Sequence, residues 1–180
     1  MNYLILGVLF VFSGFFMKIS DDFYDEAGNR TIATIFGILC AIASALATVS
    51  YSGAAYIFIG ILVGTLLAFK IDGSHHIITL ILYILICLAM GLPSLQVPII
   101  LICVLAALAD EVGHELIANY TENTFIILFF EYRFVMKIVI FLLALCGVFS
   151  FWTFIFFILF ELSYVVGGLV FKKVIKKEND

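Results

Sequence analysis

Charge is scarce in this chain. Only 12% of its 180 residues are Asp, Glu, Lys or Arg, 65% are hydrophobic, and the mean hydropathy is +1.26. A soluble domain could not hide so much apolar surface, so that class is excluded. The formal net charge of −4 offers no basic excess for nucleic acid. Proline is nearly absent too. Pro93 and Pro98 both fall in one segment, "GLPSLQVP", so no pair of Gly/Pro-interrupted helices marks a midplane transport site. No positive charge precedes the first apolar run, Tyr3 to Met17, and Lys18 follows it. That order is wrong for a secretory signal and predicts a retained first helix. The cysteines (Cys40, Cys87, Cys103 and Cys146) lie singly in apolar runs with no CxxC spacing, which reads as packing rather than as metal ligation or disulfide bonding.

Long apolar runs dominate what is present. They lie at roughly 2–20, 31–50, 53–70, 76–92, 96–113, 134–150 and 152–171, and each is expected to be a spanning helix. The fold class expected is therefore all-α, a multi-pass transmembrane bundle of about seven helices. It forms a single domain over 1–180, with residues 172–180 as a short cytoplasmic tail. Seven crossings put every Lys and Arg on one side, in Lys18–Arg30, Lys70–His76, Asp110–Lys137 and the tail. The positive-inside rule makes that side cytoplasmic and leaves the amino terminus outside the cell membrane. Segment 119–132 carries too short an apolar run to cross and is expected to lie at the interface or re-enter.

The scarce charges are clustered. "DDFYDE" at Asp21–Glu26 is echoed by "DEVGHE" at Asp110–Glu115; each closes an apolar helix on the cytoplasmic side, as in a protein of two related halves. Residues three and four apart share a helix face, so Asp21 with Asp25, Asp110 with His114 and Glu111 with Glu115 form close pairs that include like charges. Solvation of the helix ends could offset that repulsion, and so could a divalent cation. Carboxylates suit Mg²⁺, which bridges them to substrate phosphates. The candidate metal ligands are Asp21, Asp22, Asp25, Glu26, Asp110, Glu111, His114 and Glu115. Lys18, Arg30, Lys70 and Arg133 are the candidate diphosphate contacts. His75 and His76 read as loop residues of "KIDGSHH". Glu161 stands alone within the last apolar run, where an ionisable group is a functional candidate by default.

"DDFYDEAGNR" resembles the first aspartate-rich motif, NDxxDxxxD, of the intramembrane prenyltransferases (the UbiA superfamily), and "ADEVGHE" resembles their second, DxxxD. The resemblance implies Mg²⁺ and a prenyl diphosphate held at the cytoplasmic end of a bundle. Asp22, Asp25 and Asp110 would then be the catalytic carboxylates, with His114 where the last aspartate is expected. Asp21 stands where that motif has Asn, Asn29 stands where its third Asp belongs, and the chain has fewer crossings than that family. The DxxDGxxAR signature of the CDP-alcohol phosphotransferases is not matched. The expected function is thus a membrane transferase that binds a lipid (prenyl) diphosphate through Mg²⁺. The alternatives are a cation transporter or channel, with Glu161 as its midplane site, and a non-catalytic scaffold or accessory subunit.

Overall fold

A computed structural model describes residues 2–71 and 73–179, apart from the side chains of 118, 119 and 174–179. The described residues form eight helices: α1 (Tyr3–Asp25), α2 (Arg30–Ser50), α3 (Ser52–Leu67), α4 (Ser74–Met90), α5 (Val97–Tyr120), α6 (Thr124–Glu131), α7 (Phe134–Leu145) and α8 (Phe151–Asn179). Local chemistry sets several of the starts. The side chains of Asn2, Asn29 and Asn123 accept hydrogen bonds from Leu4, Ile32 and Phe125, capping α1, α2 and α6. Pro98 sits in the first turn of α5, where its missing N–H costs nothing.

Four helices, not seven, are long and apolar enough to cross a bilayer: Tyr3–Asp25, Arg30–Ser50, Val97–Ile117 and Phe151–Lys173. The expected crossings at 53–70, 76–92 and 134–150 shrink to helices of 16, 17 and 12 residues. At 1.5 Å per residue these rise only about 18 to 26 Å, against a hydrocarbon core of about 30 Å. The chain turns early at the end of α3, where Phe69 adopts a left-handed conformation (φ 57°), and at the end of α7, where Gly147 does so (φ 72°). Elsewhere helix outruns apolarity. Helix α1 continues through Asp25, so the first acidic motif is helical, and α8 runs on to Asn179, so the tail is an extension of that helix.

Helix α1 packs on α2 and α8, α2 also packs on α4, and α3 packs on α5. Small residues bring these backbones together. A Cβ at Gly60 or Gly64 of α3 would strike Cys103 or Ala107 of α5, and one at Gly37 of α2 would strike Thr79 of α4. This is van der Waals packing of the kind that associates helices where lipid removes the hydrophobic drive. Outward faces carry bare apolar side chains, such as Leu4, Leu88 and Leu105, a surface that water would not tolerate but acyl chains would.

The two ends of the bundle differ. At one end, Tyr3 stacks on Trp152 at 5.4 Å, the Tyr51 hydroxyl bonds Thr153 at 2.6 Å, and the Tyr56 hydroxyl accepts the Gln96 N–H at 2.7 Å. The other end gathers the charges. Helix α6, expected as an interfacial piece, lies at this charged end beside α5 and α7 and buries none of its residues.

Candidate functional site

Helices α1 to α5 surround a cavity of about 180 Å³ that opens among the charges. Its inner wall is largely apolar, with Met17, Phe58, Ile61, Leu62 and Leu80 and with Tyr83 at the back, and the lining hydroxyls of Ser44, Thr65 and Thr79 donate to carbonyls of their own helices. The Tyr83 hydroxyl is tied to Thr48 at 2.8 Å. Its mouth carries Asp21 from α1, Lys70 from the turn after α3, His76 from α4, Glu111 from α5 and Arg133 from the turn before α7. Helices α1 and α5 meet at most in passing, yet each contributes one carboxylate to this mouth. Those carboxylates are Asp21 and Glu111.

The other members of the acidic motifs have different surroundings. Asp22 is buried and forms an ion pair with Lys18 one turn earlier on α1, at 2.8 Å. Asp25 and Glu26 point into solvent beyond the end of the bundle. Asp110 is buried and accepts the backbone N–H groups of Val135 (2.9 Å) and Met136 (2.7 Å). It therefore caps the first turn of α7 from a neighbouring helix, satisfying donors that a helix start leaves open. His114 approaches Glu131 at 3.5 Å, and Glu115 pairs with Lys70 at 3.0 Å. Arg30 is exposed as the first residue of α2. Sequence spacing did put these residues at one end of the bundle. It did not say which of them face inward.

Arg133 is held firmly. Its backbone is left-handed (φ 50°, ψ 55°), uncommon for a residue with a side chain. Its guanidinium lies 3.0 Å from Glu111 and over the ring of Tyr164 at 5.7 Å. Burial works against its charge, but Tyr164, Glu111, Glu161 and Asp21 outweigh that and hold its pKa above the ordinary arginine value. Glu161 is not the lone charge expected at depth, because Lys137 of α7 reaches it at 2.7 Å while also bonding the Tyr132 and Arg133 carbonyls. A water-sized void of about 30 Å³, bordered by Asp110, Glu111, Arg133 and Glu161, joins this pair to the site.

His75 and His76 are the residues that sequence reading undervalued. They form the first turn of α4 rather than a loop, and His75 is 2% exposed. The His75 ring lies 3.9 Å from that of His76 and 4.2 Å from that of Tyr24. Asp21 Oδ1 stands 3.7 Å from Nε2 of His75 and 3.9 Å from Nε2 of His76. The available signal was Gly73–Ser74 just ahead of the pair, a plausible helix start that would set both rings on the end of α4.

The donors do not suit Mg²⁺ as the acidic motifs implied. That ion wants oxygens in a near-octahedral shell, whereas most of the motif carboxylates are held by cations, by backbone N–H groups or in solvent, and Asp21 is flanked by nitrogen. No protein-family model, curated protein or solved structure matches the chain.

Proposed function

We propose that the chain is a membrane-embedded transferase whose cavity binds a phosphorylated lipid, with a prenyl diphosphate as the substrate class. The observation that supports this is the two-part character of the cavity: a largely apolar inner wall (Met17, Phe58, Ile61, Leu62, Leu80) under a charged mouth where Lys70, Arg133 and His76 stand beside Asp21 and Glu111. An amphiphile with an anionic head matches that division. Pockets for drug-sized ligands run from about 300 Å³ upward, so a cavity of about 180 Å³ suits a headgroup and the first part of a chain, with the remainder among the helices or in lipid.

The ion pairs at the mouth can be shared with a phosphate. Lys70 and Glu115 are both well exposed, and such a pair is worth at most about 1 kcal/mol, so an incoming phosphate displaces it easily. Arg133 has five N–H donors and can keep Glu111 while reaching a second oxyanion. In prenyl transfer, the allylic C–O bond breaks and the diphosphate departs with the bonding electrons. Lys70 and Arg133 would stabilise the charge that develops there. The carbon end would lie by Phe58 and Tyr83, whose ring faces favour a developing cation, before an acceptor nucleophile bonds to it.

This reading keeps the resemblance to the intramembrane prenyltransferases but transfers the roles. Asp21 replaces Asp22 and Asp25, and Glu111 replaces Asp110, as the carboxylates that meet the substrate. It also takes the charged end as cytoplasmic, with the amino terminus outside, because Lys18, Lys70, Arg133, Lys172 and Lys173 gather there. A transporter is less well supported, since Glu161 is paired with Lys137 and so is not available as a bare midplane site. The test is ligand stabilisation. A prenyl diphosphate should raise the thermal stability of the wild type, by about 2.7 kcal/mol at 100 times its Kd, and the matching prenyl alcohol should not.

A further inference from the structure

We propose that Asp21, His75 and His76 form a binding site for one divalent transition-metal ion, with an open coordination position facing the cavity. One ligand atom from each residue lies within 4.8 Å of the other two, and this is the one such group of three among the described residues. Asp21 Oδ1 is 3.7 Å and 3.9 Å from the two Nε2 atoms. Those distances are too long for hydrogen bonds but close to the separation of two ligands on one ion. Metal–nitrogen and metal–oxygen bonds of about 2.0–2.1 Å at a tetrahedral angle set ligands about 3.4 Å apart. Side-chain shifts of a few tenths of an ångström bring Asp21 to that spacing from each imidazole, and the two imidazole nitrogens start within 4.8 Å of each other.

An independent observation comes from His75 itself. It is 2% exposed, and neither ring nitrogen has a hydrogen-bond partner among the described residues. A buried imidazole without a protein partner gives up hydrogen bonds to solvent, which is costly and uncommon. The ring is also locked. It packs against the Tyr24 and His76 rings, and a Cβ at Gly73 would strike it. A ligand held in place by its neighbours is what a preorganised metal site needs. Bonding Nε2 to an ion would offset the desolvation.

The donor set decides the class of ion. Two imidazoles and one carboxylate suit zinc and the other first-row divalent ions, whereas Mg²⁺ and Ca²⁺ prefer oxygen throughout. Three protein ligands leave a position for water or substrate, the mark of catalytic rather than structural sites. Asp21 and His76 line the cavity, so that position faces it. At the mouth, Lys70 and Arg133 are balanced by Asp21 and Glu111. An anionic headgroup therefore gains much from an added dication, although that last step rests on the lipid-phosphate reading.

The experiment uses the full chain in detergent, with any affinity tag removed and metals stripped by chelation, titrated with Co²⁺ as a spectroscopic probe. The expected result is one Co²⁺ per chain with visible d–d bands, displaced by Zn²⁺ but not by a large excess of Mg²⁺. Asp21→Asn and His76→Ala should each weaken binding by more than about 100-fold, since losing a direct ligand should exceed the 10–100-fold typical of its supporting residues. Both side chains are partly exposed, so these variants should keep the wild-type helical circular dichroism, whereas His75→Ala carries a risk of misfolding. Absence of stoichiometric binding, equal binding by the two folded variants, or displacement by Mg²⁺ at comparable concentration would each overturn the proposal. A prenyl diphosphate is added last. If Co²⁺ binds as expected and the diphosphate leaves its spectrum unchanged, the metal site stands and the lipid-phosphate reading fails.

Discussion

The Arg133 guanidinium lies 3.0 Å from the Glu111 carboxylate, and this pair locks the start of α7 to α5 at the mouth of the cavity. Glu111 is nearly buried, while about a third of the Arg133 side chain is exposed. Solvent therefore screens part of the interaction. Glu111→Gln removes the carboxylate paired with the cation, leaving the more remote Glu161 and Asp21, and is expected to cost about 1–3 kcal/mol, less than a fully buried pair would. Thermal unfolding of the variant in detergent measures the loss, and wild-type stability would remove the pair from the account.

The resemblance would make both Asp110 and Asp25 catalytic carboxylates, but they differ in surroundings. Asp110 accepts two backbone N–H groups of α7, whereas Asp25 is exposed. Asp110→Ala should cost about 1–3 kcal/mol by leaving buried donors unsatisfied, and Asp25→Ala should stay within about 0.5 kcal/mol. Parallel melts of the two variants check the order. If they are equally stable, the capping role assigned to Asp110 is wrong.

Sidedness can be read chemically. Cys146 is exposed near the end opposite the charges, while Cys40, Cys87 and Cys103 are buried. With Cys146 replaced by Ser, an impermeant maleimide applied to intact cells should label Ser94→Cys and not Asn29→Cys. Labelling at position 29 alone would invert the proposed orientation.

Helix positions were largely legible, because unbroken apolar runs mark them and the segment Gly91–Pro98 separates two of them. Spans were less legible. Hydropathy reports apolarity, and the 12 residues of α7 are apolar without being long enough to cross. At the site, Asp21, Glu111, Lys70 and Arg133 were all named from sequence, but so were neighbours that face elsewhere. Spacing of i and i+4 shows which residues share a face and not where that face points. Rotation of α1 is set by its packing on α2 and α8, and neither its motif nor that of α5 encodes it. The capping of α7 by Asp110 joins residues 25 and 26 positions apart, beyond any local pattern. His75 read as a loop residue because its meaning depends on Asp21, which reaches it from another helix.

The account rests on a cavity that selects an anionic head above an apolar wall. The most direct measurement is equilibrium binding of a prenyl diphosphate and of the corresponding prenyl alcohol to the full chain, with wild type and Lys70→Ala side by side. Lys70 is exposed enough for its loss to leave the fold intact. The account predicts that the diphosphate binds at least about tenfold more tightly than the alcohol, and that Lys70→Ala weakens the diphosphate by about 1–2 kcal/mol, a charge-assisted contact, without affecting the alcohol. Equal affinities for the two ligands, unchanged in the variant, would contradict it.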